Sequence, residues 1–188
     1  MRTLEIVAVV FGIVSVFLSS RQNIWSWPTA IVNVSLFTVL FFRAGLYSDT
    51  GLQVVYLILS IYGWYQWLYG GAGHTKLAVS RTTPKTWAIL VLAGVASWLL
   101  LSTVTSRLPG TSLPRLDSAT TTISLIAQWM MTRKLLENWL LWVGVDVVYI
   151  GMFIYKDLHL TAFNYAVYLV IAAFGYVSWK KSLQATAA

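Results

Sequence analysis

The chain has 188 residues, of which 58% are hydrophobic and only 10% are charged, and its formal net charge is +7. Soluble domains carry about 25% charged residues, so this composition, with a mean hydropathy of +0.71, indicates a protein that lies in a lipid bilayer. The sequence has no cysteine and only two histidines, which excludes thiolate chemistry and gives no metal-ligand spacing, so no cofactor or metal is expected.

Apolar segments follow one another along the chain, most of them near the length of about 20 residues that crosses a bilayer as a helix. In chain order they span residues 4–20, 24–42, 51–70, 85–105, 115–132, 138–155 and 160–179. The fifth is polar for a spanning helix, since it contains three consecutive threonines and Gln128. We expect it to face other helices rather than lipid. Loop-forming stretches rich in Gly, Pro and Ser occupy residues 70–85 and 106–118.

An internal repeat relates the first three segments to the last three. A shift of 112 residues aligns them without a gap and pairs Arg21 with Arg133, Trp27 with Trp139, Phe41 with Phe153, Tyr56 with Tyr168, Gly63 with Gly175 and Trp67 with Trp179. A chance match between two Trp-rich apolar regions is the alternative explanation. If the repeat is real, residues 4–67 superpose on residues 116–179.

The number of segments between the two units determines their relative orientation. Because the unpaired fourth segment reverses the chain once more, the two three-helix units are expected to be parallel. The predicted fold class is therefore an all-α membrane protein with seven transmembrane helices in a 3+1+3 arrangement. Its predicted parts are residues 1–70 (first repeat), 71–112 (linker with the central fourth helix) and 113–188 (second repeat). Transporters built from parallel repeats bind substrate near the midplane, between the repeats.

Basic residues are concentrated at the ends of the segments, which favours an orientation signal in the bilayer over a nucleic-acid partner. The N-terminal side would carry Arg2, Arg43, Arg107, Arg115 and Lys156, and the C-terminal side would carry Arg21, Lys76, Arg81, Lys85, Arg133, Lys134, Lys180 and Lys181. Cytoplasmic loops are enriched in Lys and Arg. The count of 5 against 8 predicts a cytoplasmic C-terminus.

A carboxylate lies inside the sixth segment, where insertion costs about 2.5–3.5 kcal/mol. Trp139, Trp142 and Asp146 stand at i, i+3 and i+7, which places them on one helical stripe that Tyr149 extends. A flat cation over a Trp face gains roughly 0.5–2 kcal/mol, and a nearby carboxylate would neutralise its charge. The stripe therefore predicts a site for a cationic ring. The alternatives are that the tryptophans anchor the chain at the membrane interface, or that Asp146 pairs with Arg133 or Tyr149 as structural support.

Other polar side chains inside the segments are candidate substrate contacts. They are Gln53, which lies opposite Tyr165 in the repeat alignment, Gln128, Asn33 and Asn164. Each could bind a polar group of a substrate, or form a hydrogen bond between helices.

The residues of the sixth segment resemble a signature of the PnuC family of vitamin transporters. "ENWLLWVGVD" is similar to that family's Trp-x-x-Trp-x-x-x-Asn/Asp pattern, with Trp139, Trp142 and Asp146 in its three positions. "WPTAIVNV", "GLYSDTGLQVVYLILSIYGWYQW", "DSATTTISLIAQWMMTRKLLENW" and "LHLTAFNYAVYLVIAAFGYVSWKKSL" are similar to its other recurring segments. Asn also occurs in the family where this chain has Asp146, so the ligand preference is open at this position.

The resemblance implies a fold and a function. The fold would be the three-plus-one-plus-three arrangement of SWEET sugar transporters. The function would be facilitated diffusion of an unphosphorylated vitamin precursor, most often nicotinamide riboside, with thiamine and riboflavin taken by other members. It also implies a multi-pass protein of the bacterial inner membrane and a homotrimer with one path per subunit.

Two other functions are weighed against this one. A membrane-embedded enzyme needs converging acids, histidines or a nucleophile with its base, and Asp146 is the one acid near the middle of a predicted span, since Glu5 and Asp117 lie at segment ends. The sequence therefore argues against an enzyme. A proton-coupled transporter that uses Asp146 is the closer alternative, although a single carboxylate without relay partners argues against coupling.

Overall fold

The computed structural model describes residues 2–106, 114–155 and 157–187, and these residues form seven α-helices and one short 3₁₀ turn. The α-helices are α1 (Arg2–Ser20), α2 (Ser26–Arg43), α3 (Tyr47–Tyr69), α4 (Pro84–Thr105), α5 (Pro114–Thr132), α6 (Asn138–Tyr155) and α7 (His159–Ala187). All seven predicted segments are thus helical. Of the predicted orientation signals, Arg107 and Lys156 lie outside the described residues, as does most of the predicted loop 106–118.

Tight turns join the helices within each half of the chain. The α1–α2 turn has Gln22 at φ 56° and the α5–α6 turn has Lys134 at φ 49°, while the α2–α3 turn has Gly45 at φ 73° and the α6–α7 turn has Asp157 at φ 56°. Side chains other than glycine rarely adopt positive φ. Both pairs are separated by 112 residues, so the two halves turn at equivalent positions.

The helices pack in two sets of three. In the first three-helix unit, α2 packs against both α1 and α3, and in the second unit α6 packs against both α5 and α7. Between the units α1 contacts α7, and α3 contacts α5. These two contacts are equivalent under the repeat, because α1 corresponds to α5 and α3 to α7.

The fifth helix faces the protein interior as predicted. Its buried residues include Ser118, Thr120, Thr122 and Ser124. The hydroxyl of Ser118 donates to the Pro114 carbonyl at 2.7 Å and that of Thr120 to the Asp117 carbonyl at 3.0 Å, and local bonds of this kind offset the cost of burying these two polar groups. Buried hydroxyls on α5 thus account for its low hydropathy.

Equivalent hydrogen bonds recur in the two units. The indole N–H of Trp67 donates to the carbonyl of Met131 and that of Trp179 to the carbonyl of Ser19, each at 3.0 Å. These donors and acceptors exchange under the 112-residue shift. Trp27 and Trp67 pack edge to face at 5.3 Å between ring centroids, and their counterparts Trp139 and Trp179 do so at 5.4 Å. The landmarks that align in sequence therefore make the same contacts.

Four helices in the described part of the chain are long and apolar enough to cross a membrane: α1, α4, α6 and α7. Helix α4 contacts α5 and exposes Leu92 and Leu100 at 72% and 67%. Apolar exposure on this scale suits a lipid environment. Helix α5 is mostly buried in the bundle, whereas α3 also exposes large apolar side chains, among them Ile58 at 61% and Ile61 at 55%.

Candidate functional site

A cavity of about 260 Å³ lies between the two three-helix units. The predicted site residues that line it are Trp139, Trp142, Asp146, Tyr149, Gln53, Gln128 and Asn33. The stripe on α6 thus faces one side of the cavity, while Gln53 and Asn33 approach from the first unit. Asn164 is the one predicted site residue outside this lining.

Most lining residues form pairs related by the repeat. The pairs are Val16 with Gln128, Ser19 with Met131, Trp27 with Trp139, Ala30 with Trp142, Val34 with Asp146, Phe37 with Tyr149, Gln53 with Tyr165, Tyr56 with Tyr168 and Ser60 with Ala172. The cavity therefore lies between equivalent faces of the two units. Its two walls are unequal, because the second unit supplies the carboxylate, one additional indole and two additional phenols.

The Asp146 carboxylate lies in this cavity, and none of the residues that the structure describes forms an ion pair or hydrogen bond with it. The residue is 4% exposed, and within the described residues the one salt bridge joins His159 to Asp157. Arg133 instead donates to the Tyr62 hydroxyl at 3.1 Å, so the expected alternative of an Asp146–Arg133 pair is wrong. A carboxylate without a cationic partner in an apolar setting is costly, and a bound cation would offset that cost.

Trp139 is fully buried rather than placed at a membrane interface. Its exposed fraction is 0%, and a Cβ added at Gly175 would lie 2.7 Å from its ring atom Cε2. Only a residue without a Cβ therefore lets α7 approach the indole this closely. The anchor alternative is wrong for Trp139, while Trp142 is half-buried and lines the cavity.

Aromatic side chains form one wall of the cavity beyond Asp146. The ring centroids of Tyr149 and Tyr165 lie 4.7 Å apart, and Phe153 stacks on Tyr165 at 5.3 Å. Thr120 of α5 donates its hydroxyl to the Leu116 and Asp117 carbonyls, and no hydrogen bond between Tyr149 and Asp146 is found among the described residues. Stacked rings of this kind offer flat apolar surface with polar edges, which suits an aromatic ligand.

The polar candidates differ in what they already bind. The Asn33 side-chain amide donates to the Ala8 carbonyl at 2.7 Å, so part of its hydrogen-bonding capacity is used between α1 and α2. Asn164 is half-buried and interacts with Tyr168, one helical turn further along α7. Asn164 therefore lies on the same side of α7 as Tyr168 but is not among the residues that line the cavity.

Sequence reasoning missed several lining residues, notably Trp27, Tyr56 and Tyr168. The repeat in the sequence could have identified them, because it pairs Trp27 with Trp139 and Tyr56 with Tyr168. A site residue of one unit thus predicts the equivalent position of the other. Among the described residues no three His, Cys, Asp or Glu side chains come together as metal ligands.

Comparison with known proteins places the chain in a family. Residues 2–181 match the family described as nicotinamide mononucleotide transporter. The chain is 28% identical over 204 residues to the nicotinamide riboside transporter PnuC of Escherichia coli (strain K12), covering 95% of this chain and 85% of that protein. It is also 24% identical over 180 residues to the riboflavin/roseoflavin transporter RibM of Streptomyces davaonensis, covering 93% and 83%.

A solved structure matches along nearly the whole chain. A crystal structure of the vitamin B3 transporter PnuC aligns with a TM-score of 0.75 and 26% identity, covering 96% of this chain and 82% of that one. These relatives are transporters, which confirms the expectation that the chain is not an enzyme. The resemblance seen in the sequence is confirmed as well: the chain belongs to the nicotinamide mononucleotide transporter family.

Proposed function

We propose that this protein carries an unphosphorylated, cationic vitamin precursor across the membrane, with nicotinamide riboside as the preferred substrate. The observation that carries the proposal is the unpaired Asp146 carboxylate in a cavity lined by Trp139, Trp142 and Tyr149. A pyridinium ring can stack on an indole while its charge is balanced by the carboxylate. The name of the Escherichia coli relative supports the same substrate.

Other vitamins of the same size class are the second candidates. Thiamine also carries a flat permanent cation, so the site chemistry favours it equally. Riboflavin is supported by the name of the Streptomyces relative, but a neutral ring leaves Asp146 without a counter-charge. The carboxylate therefore ranks cationic substrates above riboflavin.

Facilitated diffusion is the mechanism we propose. Proton coupling through Asp146 would need groups that pass a proton to and from it, and the acids and histidines of the described residues form no cluster. The sequence carries no nucleotide-binding motif that could couple ATP to uptake. The carrier would then bring inside and outside concentrations to equality, and net accumulation would require chemical trapping of the substrate after entry.

The membrane arrangement that we propose has all seven helices spanning the bilayer of a bacterial inner membrane. The two three-helix units, 1–70 and 113–188, would be parallel and related by an axis along the membrane normal, with 71–112 as the linker. The equivalent contacts of Trp67 and Trp179 support this symmetry. The distribution of basic residues supports a cytoplasmic C-terminus, and a homotrimer is the assembly that the family resemblance suggests.

Transport into liposomes tests the substrate and the mechanism together. Purified protein is reconstituted, and uptake of labelled nicotinamide riboside, thiamine and riboflavin is followed with membrane potential and proton gradient collapsed. We expect the cationic substrates to equilibrate and riboflavin to enter more slowly. Faster riboflavin uptake would assign the second substrate, and accumulation above the external concentration under an imposed proton gradient would show coupling.

A further inference from the structure

Four tryptophans meet at one end of the cavity. This tryptophan cluster consists of Trp27, Trp67, Trp139 and Trp179, each at most 2% exposed. Besides the edge-to-face pair inside each unit, Trp67 and Trp179 meet across the axis at 5.8 Å between ring centroids. Trp27 and Trp139 line the cavity, and the other two lie behind them. The cluster therefore closes the cavity at this end.

The positions of the four tryptophans along their helices show which end of the bundle carries the cluster. Trp27 and Trp139 stand in the first turns of α2 and α6, and Trp67 and Trp179 stand near the C-terminal ends of α3 and α7. The same end carries the α1–α2 turn, the α5–α6 turn and the connecting segment between α3 and α4 (residues 70–83). It is the end that the basic residues assign to the cytoplasm.

Contacts of the cluster divide into those within a unit and those between units. The pairs Trp27–Trp67 and Trp139–Trp179 each belong to one unit and can move with it. The indole hydrogen bonds cross between units, because Trp67 of α3 donates to Met131 of α5, and Trp179 of α7 donates to Ser19 of α1. Separation of the units at this end must break both hydrogen bonds.

A second layer of contacts between units covers the cluster. The Lys134 ammonium lies 4.5 Å from the ring centroid of Trp67 and 3.4 Å from Oε1 of Gln22. Gln22 and Lys134 are repeat equivalents, so this contact lies on the axis itself. Lys134 is 7% exposed, which places its charge beneath the surface of the bundle.

The connecting segment forms the outermost layer. Its Ser80 N–H donates to the Lys134 carbonyl, and its carbonyl accepts from the Leu136 N–H at 2.9 Å. The Glu137 carboxylate accepts from both the N–H and the hydroxyl of Thr82, at 2.9 and 2.7 Å. The segment leaves α3 of the first unit and is bound to the second, so these bonds also join the two units.

We propose that the tryptophan cluster is the gate at this end of the substrate path, held shut by the two indole hydrogen bonds between the units. The inference rests on the proposed transport function for its purpose. Opening moves the two three-helix units apart at this end, keeps each edge-to-face pair intact, and breaks the Trp67–Trp179 contact. Lys134 and the connecting segment add to the same closed state.

The absence of native cysteine allows the gate to be probed with one introduced thiol. Ala30 lines the cavity, and an Ala30→Cys thiol reports access by a membrane-impermeant thiol reagent applied to liposomes from the cluster side. Ala78 is exposed in the connecting segment, so Ala78→Cys identifies the orientation of each preparation. The protein with native tryptophans should react slowly at position 30 and quickly at position 78.

Removing the two indole donors should open this end. In the Trp67→Phe/Trp179→Phe protein we expect labelling at position 30 to accelerate about tenfold, the shift expected from two lost hydrogen bonds of ordinary strength. Trp64→Phe, on the same helix at a position 38% exposed, is the matched control and should not change the rate. If the double variant does not fold, either single variant carries the test, because the two bonds are equivalent.

The outcomes separate the gate from the transport function. Unchanged labelling in a folded variant, or equally fast labelling of positions 30 and 78 before any tryptophan is changed, overturns the gate. Accelerated labelling in a protein that moves none of the three vitamins supports the gate and refutes the proposed substrates. Normal vitamin uptake by a variant whose labelling rate is unchanged supports the proposed transport and overturns the gate.

Discussion

The tryptophan end of the bundle and the cavity beside it are built from equivalent positions of the two units, yet only the first is symmetric. At the tryptophan end each indole has its counterpart in the other unit with the equivalent ring partner. Trp67 and Trp179 both donate to backbone carbonyls, and Trp27 and Trp139 both lack an acceptor among the described residues. In the cavity the repeat equivalent of Asp146 is Val34, and that of Trp142 is Ala30. Repeat symmetry is therefore kept where the units hold each other and lost where a substrate would bind.

This difference has a physical reason. A contact that joins two units can be satisfied identically on both sides of an axis, since each side supplies one donor and one acceptor. A single cationic ligand on that axis needs one counter-charge, and two carboxylates close together would repel each other when the cavity is empty. The pattern suggests that symmetric residues support the fold and asymmetric residues determine the substrate.

The largest expected effect comes from disturbing the symmetric part. A Cβ at Gly63 would overlap the ring of Trp27, as one at Gly175 would meet Trp139. Gly63→Ala and Gly175→Ala should each destabilise the protein by about 1–3 kcal/mol, because the packed indoles have no room to move. Gly151→Ala in α6, where a Cβ meets nothing within 4 Å, is the control, and thermal unfolding in detergent is the measurement. Equal melting temperatures for all three variants would contradict the packing argument.

Disturbing the asymmetric part should change binding while leaving the fold intact. Asp146→Ala should weaken nicotinamide riboside binding about ten- to a hundredfold, the worth of a hydrogen-bonded charge, with little loss of melting temperature in the empty protein. Asp146→Asn keeps hydrogen bonding and should penalise cationic vitamins more than riboflavin. Calorimetry and thermal unfolding are measured on the same samples. Unchanged affinity together with a large drop in apo stability would mean that Asp146 supports the fold.

Hydropathy predicted the helices because each is bounded by polar turns. Helix α6, for example, begins and ends where expected, at Asn138 and Tyr155. Hydropathy failed where a helix leaves the apolar region. Helix α7 continues to Ala187 instead of ending at 179, past Lys180 and Lys181, and α3 begins at Tyr47 instead of 51. The length of an apolar segment matches the thickness of the bilayer's hydrocarbon core, whereas the backbone hydrogen bonds of a helix can continue beyond that segment.

The candidate site was predictable where side chains share a helix and obscure where they meet across helices. Helical spacing alone placed Trp139, Trp142 and Asp146 together. The bonds from Trp67 and Trp179 could not be foreseen, because their acceptors are backbone carbonyls, which every residue carries. Asn164 lies outside the cavity lining, and its role as a substrate contact stays a prediction, because polarity alone does not show how a helix is rotated.

Moving the carboxylate to the other wall of the cavity would test whether the difference between the two units determines substrate binding. Val34 lines the cavity at the position equivalent to Asp146, so the Val34→Asp/Asp146→Val protein carries the carboxylate on the opposite wall. We expect it to recover part of the affinity for a cationic vitamin that Asp146→Val alone loses, because the attraction depends on distance more than direction. Binding of nicotinamide riboside is compared across the two variants. No recovery in a folded protein would mean that the surroundings on α6, including Trp142, matter as much as the charge.

The smallest expected effect concerns Lys134. Its repeat equivalent is Gln22, so these two equivalent positions differ in charge. Burial and, secondarily, the neighbouring Lys76 lower the pKa of Lys134 to about 8 from its ordinary 10.5. Between these two pKa values the unfolded chain binds a proton that the folded protein does not. The contribution of Lys134 to the free energy of unfolding should therefore rise as pH increases from about 8 to 10.5, and it should be lowest below pH 8.

Lys134→Met should remove that rise while keeping a long apolar side chain against Trp67. Other groups titrate in the same range, so the informative quantity is the difference in melting temperature between the unaltered protein and Lys134→Met, followed from pH 7 to 10. Lys76→Met is the companion variant: without its charge the Lys134 pKa moves up, and the rise should begin at higher pH. A difference that is flat with pH would show that the Lys134 ammonium keeps its proton beneath the bundle surface, with the Trp67 ring and the Gln22 carbonyl sufficient to hold it there.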